Sequence, residues 1–161
     1  MDEASARDQA QRYFEEAYAA QMKGDLETAV TCYQKSIECL PTAEAHTFLG
    51  WTYSFQGRYQ DAIRECKKAI EEDPDFGNPY NDIGAYMIED GRLDEAIPWL
   101  KAAILAKRYE AYHYPHYNLG RVFEKKGLWL EAIREYREAL RIEPDYNLAS
   151  RSLIRLQSLL N

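Results

Sequence analysis

The sequence predicts an all-α chain built from repeated helix pairs, on three observations. First, one ladder of residue types recurs at fixed spacing. Gly50, Gly84 and Gly120 are each followed seven residues later by Gly57, Gly91 and Gly127, and five after that by Ala62, Ala96 and Ala132. A larger residue comes four further on (Cys66, Leu100, Tyr136), then another Ala after three (Ala69, Ala103, Ala139), and the same ladder runs upstream as Ala17, Gly24, Ala29, Tyr33 and Ser36. Second, units close on proline, at Pro41, Asp73-Pro74 and Glu143-Pro144. Third, 8 Gly and 6 Pro in 161 residues are too few for a loop-rich β chain.

The elements follow in order. The first unit, residues 10–42, carries Ala17 where the later copies have Gly, which suits a terminal repeat. Its Gly24 ends the first helix where a left-handed residue is wanted. Ala29, Tyr33 and Ser36 then set small and large residues on one face of the second helix, and Pro41 stops that helix. The second unit, 43–76, repeats this around Leu49-Gly50, a small residue that lets two helices approach closely. Glycine inside a helix costs about 1 kcal/mol against Ala, so its recurrence implies tight packing there. The third unit, 77–112, holds Ile83-Gly84 and is longer: the copies are spaced by 33, 34 and then 36 residues. It has Arg108 where Pro is expected, so residues 107–116, rich in tyrosine, read as an irregular loop. The fourth unit, 113–146, restores the pattern at Leu119-Gly120. A ninth helix over 147–160 carries Ala149, Leu153, Leu156 and Leu160 on one face, broadened by Leu148, Ile154 and Leu159. It serves as the cap that a stacked array needs.

Order, residue types and spacing together resemble the tetratricopeptide repeat over residues 10–146. The resemblance implies a single domain, a right-handed α-solenoid of antiparallel helix pairs with about nine helices. It also implies that the first helices line a concave groove that holds a partner segment.

By that frame each first helix has a groove-facing stripe. It contains Phe14, Tyr18, Gln21 and Met22 in the first unit, and Thr47, Trp51, Ser54 and Phe55 in the second, with Phe48 nearby. The third offers Asn81, Ala85, Ile88 and Glu89, with Asn78 and Asp82 at its mouth. The fourth offers Tyr117, Arg121, Glu124 and Lys125, with Tyr114 and Asn118 near the rim. One half of the groove is then aromatic and the other polar. Clustered exposed aromatics and arginine are the residue types that dominate binding surfaces, and asparagine matches the donors and acceptors of an extended backbone. The same spacing allows Phe14, Phe48, Phe55 and Trp51 to pack between helices instead.

Many relatives of this family grip a carboxylate at the tail of heat-shock chaperones with Lys, Asn and Arg. The matching positions here are Phe14, Tyr18, Phe48, Asn78 and Asp82, or, one unit later, Thr47, Trp51, Asp82, Tyr114 and Asn118. Neither set supplies the cations a carboxylate requires, so no such clamp is expected.

Composition narrows the function further. The net charge of −7 argues against nucleic-acid binding and against docking to an anionic membrane. No run of 18 apolar residues spans a bilayer, and the acidic start is not a signal peptide. Three cysteines, Cys32, Cys39 and Cys66, form no disulfide framework, so the cytoplasm is the expected compartment. His113 and His116, with Glu110 before them, do not supply the three or four ligands of a metal shell; His46, opening a helix, is expected at the surface. Phosphate loops and nucleophile or zinc-protease motifs are missing. The expectation is a non-catalytic adaptor without cofactor or metal, binding a protein or peptide in its groove. The alternative is a scaffold that self-associates through the capping helix or the 107–116 loop.

Overall fold

A computed structural model describes residues 2–161, and among them the chain is nine helices. These are α1 (Glu3–Met22), α2 (Leu26–Cys39), α3 (Ala43–Phe55), α4 (Tyr59–Glu72), α5 (Asn78–Glu89), α6 (Leu93–Leu105), α7 (His113–Lys125), α8 (Trp129–Ile142) and α9 (Asn147–Leu160). Packing is densest within α1–α2, α3–α4, α5–α6 and α7–α8, and next densest between each pair and the one following. Direct contacts also join α3 to α5 and α5 to α7, so these first helices share one face of an all-α helical-repeat fold.

The helix starts are set by side chains satisfying orphan amides: Asp2 accepts from the Ser5 N–H at 2.8 Å, Asp25 from Thr28 at 3.2 Å and Thr42 from Ala45 at 3.1 Å. Each pair turns through the same device. Gly24, Gly57, Gly91 and Gly127 have φ between 72° and 81°, which L side chains adopt only with strain. The residue after each then donates its N–H to the carbonyl five residues before its own position: Asp25 to Ala20, Arg58 to Tyr53, Arg92 to Met87 and Leu128 to Phe123, at 2.8–3.0 Å.

The mid-helix glycines mark where two helices touch. A Cβ on Gly84 would lie 2.4 Å from Leu100 Cδ2, and one on Gly120 would lie 2.4 Å from Tyr136 Cε1. The large residue of the stripe therefore occupies the space that a first-helix side chain would take. Ala62, Cys66, Ala69, Ala96, Leu100, Ala103, Ala132, Tyr136 and Ala139 are all fully buried, giving a core that runs along the stack. The capping helix adds Ala149 and Leu156 to that core, while Leu160, grouped with them by periodicity, is half exposed at the helix end.

Two expectations are corrected. Residues 113–116 are not loop but the first turn of α7, where Pro115 is buried at a position whose amide has no intrahelical partner anyway. The connection itself folds back on the preceding turn. Arg108 accepts from Gly77 N–H at 3.0 Å through its carbonyl and donates its own N–H to Asp75 at 2.9 Å. Its guanidinium pairs with Asp73 at 2.8 Å and Glu44 at 3.1 Å and covers the Phe76 ring at 4.2 Å. The added residues thus brace one inter-repeat turn against the next. His46 is also not a surface residue: it is buried, with Nδ1 2.7 Å from Glu65 Oε2, because the first turn of α3 faces α4.

Candidate functional site

The shared face of the first helices carries a continuous aromatic ladder. Phe14 of α1 lies 5.2 Å from Phe48 of α3, Phe48 lies 5.7 Å from Trp51, and Trp51 lies 5.1 Å from Phe55, the first two contacts edge to face. Tyr18 approaches Phe48 at 5.9 Å. The ladder is layered. Phe14 and Phe48 also pack on the buried Tyr33 and belong to the core margin, whereas Tyr18 and Phe55 are 44% and 57% exposed. Trp51, half-buried, joins the two layers.

Beside the ladder a cleft of about 380 Å³ opens across three first helices. Thr47, Phe48 and Trp51 line it from α3, Asn78, Asn81 and Asp82 from α5, and Tyr114 from α7. The 34-residue spacing from Gly50 to Gly84 puts these stripes in register, so residues far apart in sequence reach one depression. Thr47 is itself buried, its hydroxyl donating to the Ala43 carbonyl at 2.7 Å, so it offers the cleft a methyl wall. Asn78 is exposed at the mouth and Tyr114 is 43% exposed.

The polar half is more internally committed than spacing suggested. Asn118 donates to Asn81 across α7 and α5, and both are buried. Arg121 donates to Asn118 Oδ1 at 3.2 Å and to Glu89 at 2.6 Å. Tyr117, half-buried, packs against Tyr136 at 5.7 Å in a tilted pair and against Tyr146 at 5.2 Å edge to face. Asn81, Asn118, Arg121 and Tyr117 therefore hold α5, α7 and the last turn together. Asn78 and Tyr114 remain the more open polar groups of the cleft.

Electrostatics separate the carboxylates of this face. Burial works against the charged form of Glu124, but hydrogen bonds from Arg155 and Tyr136 outweigh it and hold the carboxyl below its ordinary value. Asp82, on the cleft floor, has no such help: burial pushes it up to about 7, offset only in part by Asn81. The two clustered histidines have different partners. His113 packs on Tyr114 at 4.1 Å and Tyr146 at 4.9 Å, and burial lowers its pKa. His116 Nδ1 lies 2.7 Å from Glu135 Oε2.

Sequence reasoning missed two recurrent pairs. His46 with Glu65 and His116 with Glu135 occupy the same repeat positions, each spanning 19 residues. Tyr33 with Gln21 and Tyr136 with Glu124 do likewise, each spanning 12. Reading polar residues across the aligned copies, as was done for the apolar ones, would have revealed both.

Comparison with known proteins agrees with this geometry. The tetratricopeptide-repeat family is matched over residues 43–76 and again over 113–146. Sperm-associated antigen 1 of Rattus norvegicus is 28% identical over 134 residues, 83% of this chain, which in turn spans only 11% of that relative's length. The crystal structure of MamA superposes with a TM-score of 0.76 at 26% identity, covering 93% of this chain and 81% of that one. The Pseudomonas aeruginosa protein pilF has the same fold, with a TM-score of 0.87 at 22% identity over 94% of this chain and 69% of its own. No helix among the described residues is long and apolar enough to cross a membrane.

Proposed function

The chain belongs to the tetratricopeptide-repeat family, and from that premise we propose that its shared first-helix face is a groove seating an extended segment of a partner protein. Repeats of this family act generally as non-catalytic interaction modules, which supports a protein-interaction adaptor. One observation carries the finer reading. The aromatic ladder ends in the exposed rings of Tyr18 and Phe55, directly beside a cleft with open polar groups at Asn78 and Tyr114. Such a surface has apolar anchors in the middle and polar groups at the edge, the arrangement found at binding hot spots.

Capture from lysate on immobilised protein tests this, with wild type beside Trp51→Ala/Phe55→Ala, both checked for equal helicity by circular dichroism. A partner held by wild type and lost by the variant supports the groove. A partner held equally by both overturns it.

A second reading rests on a different surface. Leu148, Ile154 and Leu159 of α9 are 51–70% exposed, which favours self-association through the capping helix. Light scattering at increasing concentration tests it: a mass above one chain that Ile154→Lys returns to monomer is expected, and a strict monomer defeats it.

A further inference from the structure

Asp82 differs from the other acidic side chains on α3, α5 and α7. Glu44 pairs with Arg108 at 3.1 Å, Glu89 with Arg121 at 2.6 Å, and Glu124 with Arg155. Among the described residues no cation pairs with Asp82; Asn81, beside it on the same helix, offsets the effect of burial only in part. Arg121, a cation on the neighbouring inner helix α7, is committed to Glu89 and Asn118. The carboxyl nevertheless lies on the floor of an open cleft, walled by the Phe48 and Trp51 rings of α3 and the Tyr114 ring of α7.

We propose that this cleft takes a lysine or arginine side chain of the bound segment, with Asp82 as its counter-ion and Trp51 and Tyr114 as aromatic walls. The inference rests on the groove reading above and adds the chemistry of the occupant. Asp82 is half-buried, and a carboxylate partly withdrawn from water without a partner carries a cost that an arriving cation relieves. Aromatic faces attract the same ligand through their quadrupoles. The rings exclude water around the pair and so strengthen it, while the exposed Asn78 amide is placed to bond the backbone on either side. The net charge of −7 draws basic segments toward the surface and disfavours acidic ones. Burial that raises the Asp82 carboxyl means that the site sheds a proton as the cation arrives.

A randomised decapeptide display library selected on the immobilised chain tests this. Selected peptides are expected to be enriched in Lys or Arg. Resynthesis with norleucine for Lys, or citrulline for Arg, is expected to weaken binding roughly ten- to a hundredfold, the usual worth of a charged hydrogen bond. Asp82→Asn, a neutral residue of the same size, should lose the same factor and no longer distinguish the two peptides. Glu71→Gln, which removes an exposed charge at the end of α4, should lose nothing. Peptides that depend on Trp51 but show no basic preference, or that bind Asp82→Asn equally, overturn the cation site and leave the groove standing. No selected peptide, or peptides indifferent to Trp51→Ala, overturns both.

Discussion

Asn118 donates its side-chain amide to Asn81 at 3.0 Å, a buried bond that ties α7 to α5 across 37 residues of sequence. It makes two groups that look ligand-ready into a strut of the groove floor. Asn118→Ala leaves the Asn81 oxygen buried without its donor and takes the acceptor from Arg121. We expect a loss of about 1–3 kcal/mol in urea unfolding. A loss under ~0.5 kcal/mol would show that the strut is dispensable.

Contact between helices should discriminate between glycines. At Gly120 a methyl group meets the ring of Tyr136, which is fully buried and held by its hydroxyl bond to Glu124 at 2.7 Å. Gly120→Ala is expected to cost about 1–3 kcal/mol through overpacking, and Tyr136→Leu in the same chain to recover part of it. At Gly57 nothing lies within 4 Å of an added Cβ, so Gly57→Ala costs only the strain of its left-handed backbone, about 1–2 kcal/mol, with no rescue by a core change.

Stability should fall with rising pH on account of Asp82. Its carboxyl is raised by burial from 3.8 to about 7 in the folded chain. The folded state then holds a proton that the unfolded state has released between those values, and stability drops as pH climbs through this window. The groups around it are Cys66 of α4, Tyr86 of α5, Tyr109 of the connection and Tyr114 of α7, none of them cationic. Asp82→Asn should be more stable than wild type at pH 8 by about 1–2 kcal/mol, since the open cleft leaves part of the carboxyl in water. The difference should shrink toward pH 5; thermal melts at both values check it.

The opposite sign is expected at Glu65. Burial opposes its charge, but bonds to His46 and to Lys68 at 2.9 Å prevail and hold the carboxyl below 4.5. A depressed folded pKa stabilises above the unfolded value and is lost as pH falls through the folded one. Glu65→Gln should therefore weaken the fold near neutrality by about 1 kcal/mol and approach wild-type stability in acid, read from chemical denaturation at pH 7 and below pH 4.

Much of the helix register was legible in the chain because it depends on local chemistry. The second glycine of each copy is needed wherever a helix must turn back within three residues, and Gly24, Gly57, Gly91 and Gly127 all take the left-handed backbone that need implies. The Ala–large–Ala stripes follow from helical period alone, and Ala62, Cys66 and Ala69 are accordingly buried. The end of the third connection was misread because tyrosine and histidine carry weak helix preference, while the first turn of α7 forms by packing. His46 was misplaced because its partner, Glu65, lies on another helix.

The sequence by itself determined the helix pairs, their order and the faces they bury, since period, turn chemistry and the size of one packing residue are properties of short segments. Tertiary structure alone decided which groove residues are free. Asn81, Asn118 and Arg121 satisfy one another, while Asp82 has no cation partner and Phe55 stays open to water. A side chain's hydrogen-bonding valence can be spent on a neighbour 37 residues away, and only the stacking of one repeat on the next brings that neighbour within reach.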